Sequence, residues 1–581
     1  MRWLSLIMIC VCYSVNAQIN MEQVILSGKN AIKQEDYMLA IQYFNLAIQS
    51  NPDEPQPYFY RSVAKFNLGD YVGAESDASI AIKYNPFLRD VFELRGATRK
   101  NLHKKEDAIA DYEKALEALP DNKYILLNLA LAYYDVGEVE LSKKKISELL
   151  IKYPTFNLGY RGFAYIELKQ GNFDSALESI NSAICFAPNN YEDFMLRAHI
   201  YHKQGNGSGA LDDYLMALTL KPYDEVALFN KAMLLFEGGD CDNALNDINK
   251  LISISPNFSL AYLLKSAIYY KVNNISEVKF EYDKDKSLSQ KINSYALGEV
   301  PNILFSKEIY GISSKYNCVL LREPIKNENF EISPEPIFAI SYYTTKVDAQ
   351  FSAIKIQEME EINSSQLLRY DLSFTNREPS LADSINVYDH LAAIDYYNYN
   401  ISAHSPRAID YFGRAIDYYI LHEYNAAIDD LNKTLELAPD FALGYFMRAV
   451  ANFKILASNK FVENDDKKML QIDTVGQCDF IDSYRGVVSD WDRVISLSPR
   501  MSLAYYNKGC TLMEMLQYGE AINQFDKAIS IDPFMGEAFY NRAYAYIKMG
   551  NIERAIEDLS KAGELGVVLA YDCLRCVLNQ E

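Results

Sequence analysis

The chain has 581 residues, of which 49% are apolar and 13% aromatic, so it has far more material for a buried core than a disordered polypeptide. Its net charge of −21 argues against nucleic acid and anionic membrane surfaces as partners, because both attract a basic face. The nine cysteines are scattered and lack the spacing of a disulfide framework. The composition therefore predicts an acidic folded protein that depends on its apolar core.

The amino terminus carries the pattern of an export signal, a short apolar run followed by the small residues Val15 and Ala17. We expect a signal peptide of residues 1–17, cleaved after Ala17, and a mature protein in the periplasm, the outer envelope or the extracellular space. A membrane anchor is one alternative, but a bilayer-spanning helix needs about 20 apolar residues. A lipoprotein is the other, but neither Cys10 nor Cys12 follows a small residue.

A proline recurs with a period of about 34 residues along two stretches of the chain, and this period is typical of a solenoid. The series comprises Pro52, Pro86, Pro120, Pro154, Pro188, Pro222 and Pro256, and later Pro499 and Pro533. Each period contains two amphipathic helices. In the opening complete repeat we predict helices over 56–68 and 71–84, joined by a turn at Gly69 and Asp70.

This repeat resembles the tetratricopeptide repeat (TPR) in the residues that keep the register: Tyr58, Gly69, Tyr71, Ala74, Ala81 and Pro86. The resemblance implies an all-α fold, a right-handed α-solenoid of about twelve helix-turn-helix units in two arrays. About eight units cover residues 21–292, and about four cover 406–569, one of them with a 26-residue insertion near 454–480. Residues 570–581 are expected to form a capping helix.

The first helix of most repeats carries a basic residue where an apolar one is expected, and an acid follows at a constant spacing in the second helix. The pairs are Arg61 and Asp77, Arg95 and Asp111, Arg197 and Asp213, Lys231 and Asp247, Lys265 and Glu281, Arg414 and Asp430, Arg542 and Asp558, and, once the insertion is removed, Arg448 and Asp490. Repeats that lack the base also lack the acid. We therefore predict structural ion pairs between the two helices of a repeat. The alternative is a set of arginines that bind an anionic ligand.

Residues 293–405 interrupt the period. The segments 336–345 and 367–376 are rich in β-branched and aromatic residues and are predicted strands. Residues 349–363, between them, are a predicted helix, and 380–400 are predicted to form a further helix that leads into the second array. We expect a small mixed α/β spacer that docks on the solenoid.

The sequence contains no recognised catalytic or phosphate-binding motif, so we predict no catalytic residues, no cofactor and no metal site. His199 and His202 lie three residues apart without a third ligand in view. Cys573 and Cys576 fall in an apolar final helix, where core packing is expected. Two alternatives to a non-enzymatic protein remain: an enzyme with its active site in 293–405, or a carbohydrate-capture protein that uses some of the 45 tyrosines for stacking.

The positions two before, two after and five after each basic residue share one face of the first helix. They hold Phe59, Val63 and Phe66; Phe229, Met233 and Phe236; Phe412, Ile416 and Tyr419; Phe446, Val450 and Phe453; and Tyr540, Tyr544 and Ile547. The TPR resemblance implies that this face lines a concave groove. We predict a scaffold of the cell envelope that holds an apolar segment of a protein or peptide partner there. The alternative is that the spacer or a neighbouring repeat fills the groove.

Overall fold

The computed structural model describes residues 21–88, 90–256, 258–272, 332–342, 356–377, 384–403, 405–466 and 483–578. The chain divides into two compact units, Met1–Glu331 and Ile332–Glu581. Over the described residues it contains 26 helices and two short strands. The fold is an all-α helical repeat, as predicted.

The first unit consists of helices that follow one another in pairs, each pair forming one repeat with a first and a second helix. They are α1 (Met21–Lys33), α2 (Tyr37–Ser50), α3 (Pro55–Asn67), α4 (Tyr71–Tyr84), α5 (Val91–Asn101), α6 (Lys105–Ala118), α7 (Lys123–Asp135), α8 (Val139–Lys152), α9 (Asn157–Lys169), α10 (Phe173–Phe186), α11 (Tyr191–Lys203), α12 (Gly207–Leu220), α13 (Glu225–Glu237), α14 (Cys241–Ile254) and α15 (Ser259–Lys271). The second half of the predicted eighth repeat lies outside the described residues.

The second unit begins with the spacer and continues with four repeats. Its elements are β1 (Ala339–Ser341), α16 (Gln357–Ser365), β2 (Ser373–Thr375), α17 (Ser384–Ala403), α18 (Ala408–Ile420), α19 (Tyr424–Leu437), α20 (Ala442–Asp466), α21 (Arg485–Leu497), α22 (Ser502–Glu514), α23 (Tyr518–Ile531), α24 (Gly536–Lys548), α25 (Ile552–Glu564) and α26 (Leu569–Leu578). Helix α20 extends into the insertion, and residues 467–482 lie outside the described ranges.

The turn inside a repeat is built from up to two local signals. Its first residue takes a positive φ, 83° at Gly69, which glycine adopts without steric cost. In several repeats the next residue also caps the second helix; the Asp70 side chain accepts a hydrogen bond from the Gly73 backbone N–H at 2.8 Å. The positive φ recurs at the same place in every repeat whose turn is described, whereas the side-chain cap recurs only in some repeats, as at Asp36, Asn206 and Asn551.

Close packing within a repeat depends on a small residue on the first helix that faces a ring at a fixed position on the second helix. Gly28 lies against Phe44, Gly96 against Tyr112, and Gly509 against Phe525. A Cβ atom at Gly509 would lie 2.7 Å from the Phe525 ring, closer than real Cβ contacts allow. The rings therefore occupy the space that the missing side chains leave.

Within the described residues, the spacer contains a strand, a helix and a second strand, and the strands are shorter than the predicted segments 336–345 and 367–376. Strands β1 and β2 pair antiparallel, with Ala339 opposite Thr375 and Ser341 opposite Ser373. Helix α16 lies between them in the chain. The buried spacer side chains belong to the same hydrophobic cluster as those of the second-unit repeats: Ile337, Ile340, Met359 and Leu372.

Helix α17 occupies the place of a second helix in front of the first repeat of this unit. It packs on α18, where the Tyr397 ring fills the space beside Gly413, 2.5 Å from the position of an added Cβ. Asn398 of α17 accepts a hydrogen bond from Arg414 at 2.5 Å. The repeat array of the second unit therefore begins with half a repeat, which covers the face of α18 that would otherwise be a solenoid end.

Candidate functional site

An extended segment, residues 332–342, lies against the first helices of all four second-unit repeats, α18, α20, α22 and α24. We call it the groove segment, and the face that holds it the second-unit groove. The backbone of Phe338 makes two hydrogen bonds to the side-chain amide of Asn507. Its N–H donates to Asn507 Oδ1 at 2.8 Å, and its carbonyl accepts from Asn507 Nδ2 at 2.8 Å.

Asn541 holds the backbone of Glu335 in the same way, one repeat further along. The Glu335 N–H donates to Asn541 Oδ1 at 2.7 Å, and Asn541 Nδ2 donates to the Glu335 carbonyl at 3.0 Å. The Tyr506 hydroxyl adds bonds to the carbonyls of Glu335 at 3.2 Å and Pro336 at 3.0 Å. The hydrogen bonds of these three side chains all go to the main chain of an extended polypeptide.

One position of the first helix touches the groove segment in four successive repeats. Gly413, Met447, Asn507 and Asn541 touch Tyr342, Ile340, Phe338 and Glu335, respectively. The groove segment thus crosses the repeats in the direction opposite to their order in the chain. The Ile340 N–H points at Met447 Sδ, 3.3 Å away, which is a weaker acceptor than an amide oxygen. At Gly413 the backbone carbonyl accepts a hydrogen bond from the Tyr342 hydroxyl at 3.4 Å.

Apolar side chains complete the contact. Ile337 and Ile340 are buried, and the Phe338 ring meets the Tyr506 ring edge-on with centroids 5.3 Å apart. Helix α16 anchors the spacer at a second point, where the Glu358 carboxyl accepts hydrogen bonds from the backbone of Ala442 and Leu443. Burial raises the pKa of Glu358 above its ordinary value, although these bonds oppose the shift.

The floor of the second-unit groove contains a buried thiol. Asn541 Nδ2 lies 3.3 Å from Cys510 Sγ, and burial raises the pKa of Cys510 to about 12. A thiol with this pKa stays protonated at neutral pH and is a poor nucleophile. The arrangement can therefore hold an extended polypeptide, and it offers no activated group for catalysis at this position.

The apolar groove face predicted for the second unit is covered by the groove segment and its own repeats. Phe412, Ile416, Phe446 and Val450 are fully buried, and Tyr419 and Tyr540 nearly so. Phe453, Tyr544 and Ile547 are half-buried. The expected exposed face is not found here, because the spacer occupies it, which is the alternative that the sequence left open.

In the first unit the predicted groove residues join neighbouring repeats. Phe59, Val63, Phe66, Phe229, Met233 and Phe236 are all buried. The Phe229 ring lies 5.7 Å from the Phe258 ring, and the Lys271 ammonium lies 4.5 Å from the centre of the Phe236 ring. The expectation of an exposed face fails at these positions because the adjacent repeat reaches across each side chain.

All seven predicted ion pairs whose two members are described are present, with nitrogen–oxygen distances of 2.6–3.0 Å. They join Arg61 to Asp77, Arg95 to Asp111, Arg197 to Asp213, Lys231 to Asp247, Arg414 to Asp430, Arg448 to Asp490 and Arg542 to Asp558. Glu281, the partner proposed for Lys265, lies outside the described residues.

The sequence reasoning missed a second bond that each arginine makes. Its partner is an earlier residue, on the second helix of the preceding repeat or on α17 in its place. Arg61 reaches Asn45, Arg95 reaches Ser79, Arg197 reaches Asn181, Arg414 reaches Asn398, Arg448 reaches Asn432, and Arg542 reaches Asp526. Each guanidinium therefore bonds to the second helix of its own repeat and to the second helix before it. It connects these two second helices from a position on the first helix that lies between them in the chain. A polar residue at the same spacing before each arginine was the signal in the sequence.

The first unit uses the equivalent first-helix positions differently. Arg161, in the register position of Tyr506, donates to Asp193 at 2.5 Å, and both side chains are buried. Burial raises the pKa of the Asp193 carboxyl, while Arg161 opposes that shift. Asn128, in the register position of Asn507, is buried, and its amide nitrogen has no hydrogen-bond partner among the described residues.

The two weaker candidates from the sequence lie in the interior. His199 is buried, and burial lowers its pKa to about 3, so it stays neutral at physiological pH. Cys573 is buried in α26, and burial raises its pKa to about 12. Over the described ranges, no group of three or more histidine, cysteine or acidic side chains is placed to hold a metal ion.

Asn507, Asn541, Tyr506 and Met447 contact the groove segment and were not selected by the sequence analysis. Asn507 and Asn541 are one repeat period apart, each immediately before the basic residue of its repeat, and this spacing was the available signal. Their ligand lies 169 and 206 residues away in the chain, so no local pattern joins the two sides of the contact.

Comparison with protein families places tetratricopeptide repeats in both units. Tetratricopeptide-repeat models match residues 98–155 in the first unit and residues 503–534 and 536–565 in the second. The chain therefore contains TPRs, and the expectation that the sequence raised is confirmed. In the part of the chain that the structure describes, no helix is both long and apolar enough to cross a membrane.

The relatives share single stretches of repeats with this chain. RNA polymerase II-associated protein 3 of Mus musculus is 38% identical over 95 residues, 16% of this chain and 14% of the relative. TPR repeat-containing protein MJ1428 of Methanocaldococcus jannaschii is 32% identical over 146 residues, 25% of each chain. The matches thus span between a seventh and a quarter of these relatives.

Solved structures of TPR proteins match parts of this chain. A tetratricopeptide repeat protein from Parabacteroides merdae has 18% identity and a TM-score of 0.36, and the match covers 42% of this chain and 97% of that one. YrrB, described as a TPR protein with an unusual peptide-binding site, has 18% identity and a TM-score of 0.24, over 32% of this chain and 95% of its own.

Proposed function

We propose that this protein is a non-enzymatic interaction scaffold of the cell envelope, in which TPR grooves hold extended segments of polypeptide. The proposal rests on the hydrogen bonds between the side-chain amides of Asn507 and Asn541 and the backbone of the groove segment. Two amides that each make a pair of main-chain bonds select an extended chain, whatever its side chains.

The described part of the spacer is consistent with a docking role. Its apolar side chains, Ile337, Ile340, Met359 and Leu372, are buried against the repeats, and Glu358 bonds to the start of α20. These residues are used for attachment. The net charge of −21 favours partners whose bound segment has basic flanks, because opposite charges speed and orient the encounter.

The first unit offers a place for such a partner on the first helices α7 and α9. Tyr134 and Tyr165 are half-buried there, with their rings edge-on and 5.8 Å apart. Burial raises the pKa of Tyr165 to about 12. Half-buried tyrosines combine a large apolar area with a polar hydroxyl, a combination that is enriched at protein interfaces.

Site-specific photo-crosslinking tests this proposal in the full chain. A photoreactive phenylalanine analogue replaces Tyr165 in one protein and Tyr223 in the matched control. Tyr223 lies in a loop between repeats and is 70% exposed. We expect irradiation in envelope extract to join one protein to position 165, through a single extended peptide identified by mass spectrometry. Equal crosslinking at both positions, or none at 165, would refute the proposed partner site.

The location of the protein rests on residues 1–17, which lie outside the described residues. The proposal expects a mature chain that begins at Gln18, because small residues at Val15 and Ala17 suit signal peptidase cleavage. Intact mass measurement of the protein from its native host checks this. A chain that retains Met1, or one that begins with a lipidated Cys10 or Cys12, would contradict it.

A further inference from the structure

We propose that the groove segment is an internal ligand of the second-unit groove, which keeps that groove closed until a competing polypeptide displaces it. The competitor is an extended segment with branched apolar side chains at the places of Ile337 and Ile340. The inference extends the proposed function to a second site and adds a means of control. It concerns the second unit alone, so its test does not depend on crosslinking at Tyr165.

The first argument is that recognition of the groove segment is not specific to this chain. The bonds from Asn507 and Asn541 go to the N–H and carbonyl groups of Phe338 and Glu335. Any extended polypeptide presents the same groups at the same spacing. A site that only held one connecting segment in place would not need two asparagines that each bond to its main chain, at residues three apart.

The second argument is that the apolar requirements are also transferable. Ile337 is 5% and Ile340 0% exposed, while the Phe338 ring rests on Tyr506 at the groove wall. The required ligand chemistry is therefore two branched apolar residues three apart, with an aromatic residue next to the first. Such a pattern is frequent in the strands of other proteins, where it is exposed before folding.

The third argument is that the segment is weakly secured compared with the helices around it. Beyond the first-helix contacts, its backbone pairs with the three-residue strand β2. Local opening of such an element requires much less free energy than unfolding of the repeats. Yet a tethered segment reaches an effective concentration on the order of millimolar. A competing polypeptide therefore displaces the segment only if it binds the groove more tightly than the segment does.

Cys510 and Cys573 distinguish release of the groove segment from unfolding of the repeats. Both thiols are buried, and burial raises both pKa values to about 12. Cys510 lies under the groove segment, bonded to Asn541, whereas Cys573 lies in the terminal helix α26. Release of the segment exposes Cys510 and leaves Cys573 protected. Unfolding of the repeats exposes both.

The experiment compares the full chain with its Ile340→Asp variant. A buried carboxylate at position 340 disfavours the docked segment and leaves every groove residue intact. We expect alkylation of Cys510, followed by peptide mapping, to accelerate at least tenfold while Cys573 stays protected. A fluorescent peptide that copies residues 332–342 should bind the variant at least tenfold more tightly than the unaltered chain. Adding Asn507→Ala and Asn541→Ala to the variant should abolish this binding.

Two controls keep the result decisive. A peptide with aspartate at both isoleucine positions should not bind the variant. Phe338→Pro is the second variant, because it removes the N–H that bonds to Asn507 without placing a charge in the core. The proposal is overturned if both variants expose Cys573 together with Cys510, which would make the segment part of the folding core. It is also overturned if the peptide binds the unaltered chain and the variants equally.

Discussion

The two units solve the same problem in different ways. In each unit, the first helices of successive repeats place polar side chains on one face. Because these side chains are buried, they need hydrogen-bond partners. In the second unit an extended segment of the chain supplies the partners, as Asn507 and Asn541 show. In the first unit the neighbouring repeat supplies the partner of Arg161, which is Asp193.

This difference shows that a repeat register specifies a position without specifying its role. Asn128 and Asn507 occupy the same place in their repeats, and both are buried. Asn507 makes two bonds to an extended strand, whereas the Asn128 amide nitrogen has no partner among the described residues. The function of the position depends on what lies across the groove.

The largest effect is expected where the first unit buries a charged pair. Asp193→Ala leaves the Arg161 guanidinium buried without its carboxylate, and we expect a loss of about 3–5 kcal/mol in local unfolding free energy. Amide hydrogen exchange in α9 to α11 measures it. The double variant Arg161→Met with Asp193→Leu should regain most of the loss. If Asp193→Ala costs less than about 1 kcal/mol, the pair is effectively solvated and the comparison between the grooves fails.

The next effect distinguishes two ion pairs that look alike. Asp430 is held by Arg414, whereas Asp111 is held by both Arg95 and Arg99. Arg414→Ala should therefore cost about 3 kcal/mol and Arg95→Ala only about 1 kcal/mol.

Amide exchange in the helices of each repeat provides both values for this comparison. The control is Arg99→Ala combined with Arg95→Ala, which should bring the cost in the first unit up to that of Arg414→Ala. Equal costs for the two single variants would show that Arg99 does not share Asp111.

A smaller effect separates the two asparagines. Asn507→Leu removes two main-chain bonds of the groove segment and should cost about 1–3 kcal/mol, because the Phe338 N–H and carbonyl lose their partners. Asn128→Leu removes an amide whose nitrogen is unbonded among the described residues, so we expect a change within about 0.5 kcal/mol. Exchange protection of Phe338 and of α7 provides the two readings. A comparable loss at Asn128 would indicate that it, too, holds a polypeptide.

The smallest effect concerns equivalent loop residues. Phe87 and Phe534 each follow the proline that ends a repeat, and they are 93% and 48% exposed. Phe87→Ser should leave stability unchanged within about 0.5 kcal/mol, whereas Phe534→Ser should lose about 1 kcal/mol of apolar contact. Thermal melting of the two variants compares them. A destabilising Phe87→Ser would mean that this ring packs on something in solution.

The sequence by itself determined the helices, their pairing and the ion pairs. These features recur with the period of the repeat, and their signals are local: Asp70 caps the next helix, and Arg61 finds Asp77 one helix away. Recurrence let the repeats serve as their own comparison set. Sequence spacing could identify the partner because the helix hairpin brings the same two positions together wherever it forms.

The tertiary structure alone decided what fills the groove. Phe338 meets Asn507 across 169 residues, and the bonds involve main-chain groups, which every residue has and no sequence pattern marks. The same fact explains why the predicted apolar face is buried at Phe446 in the second unit and at Phe229 in the first. An apolar side chain indicates that its position must be buried, but the fold of the chain determines which residues bury it.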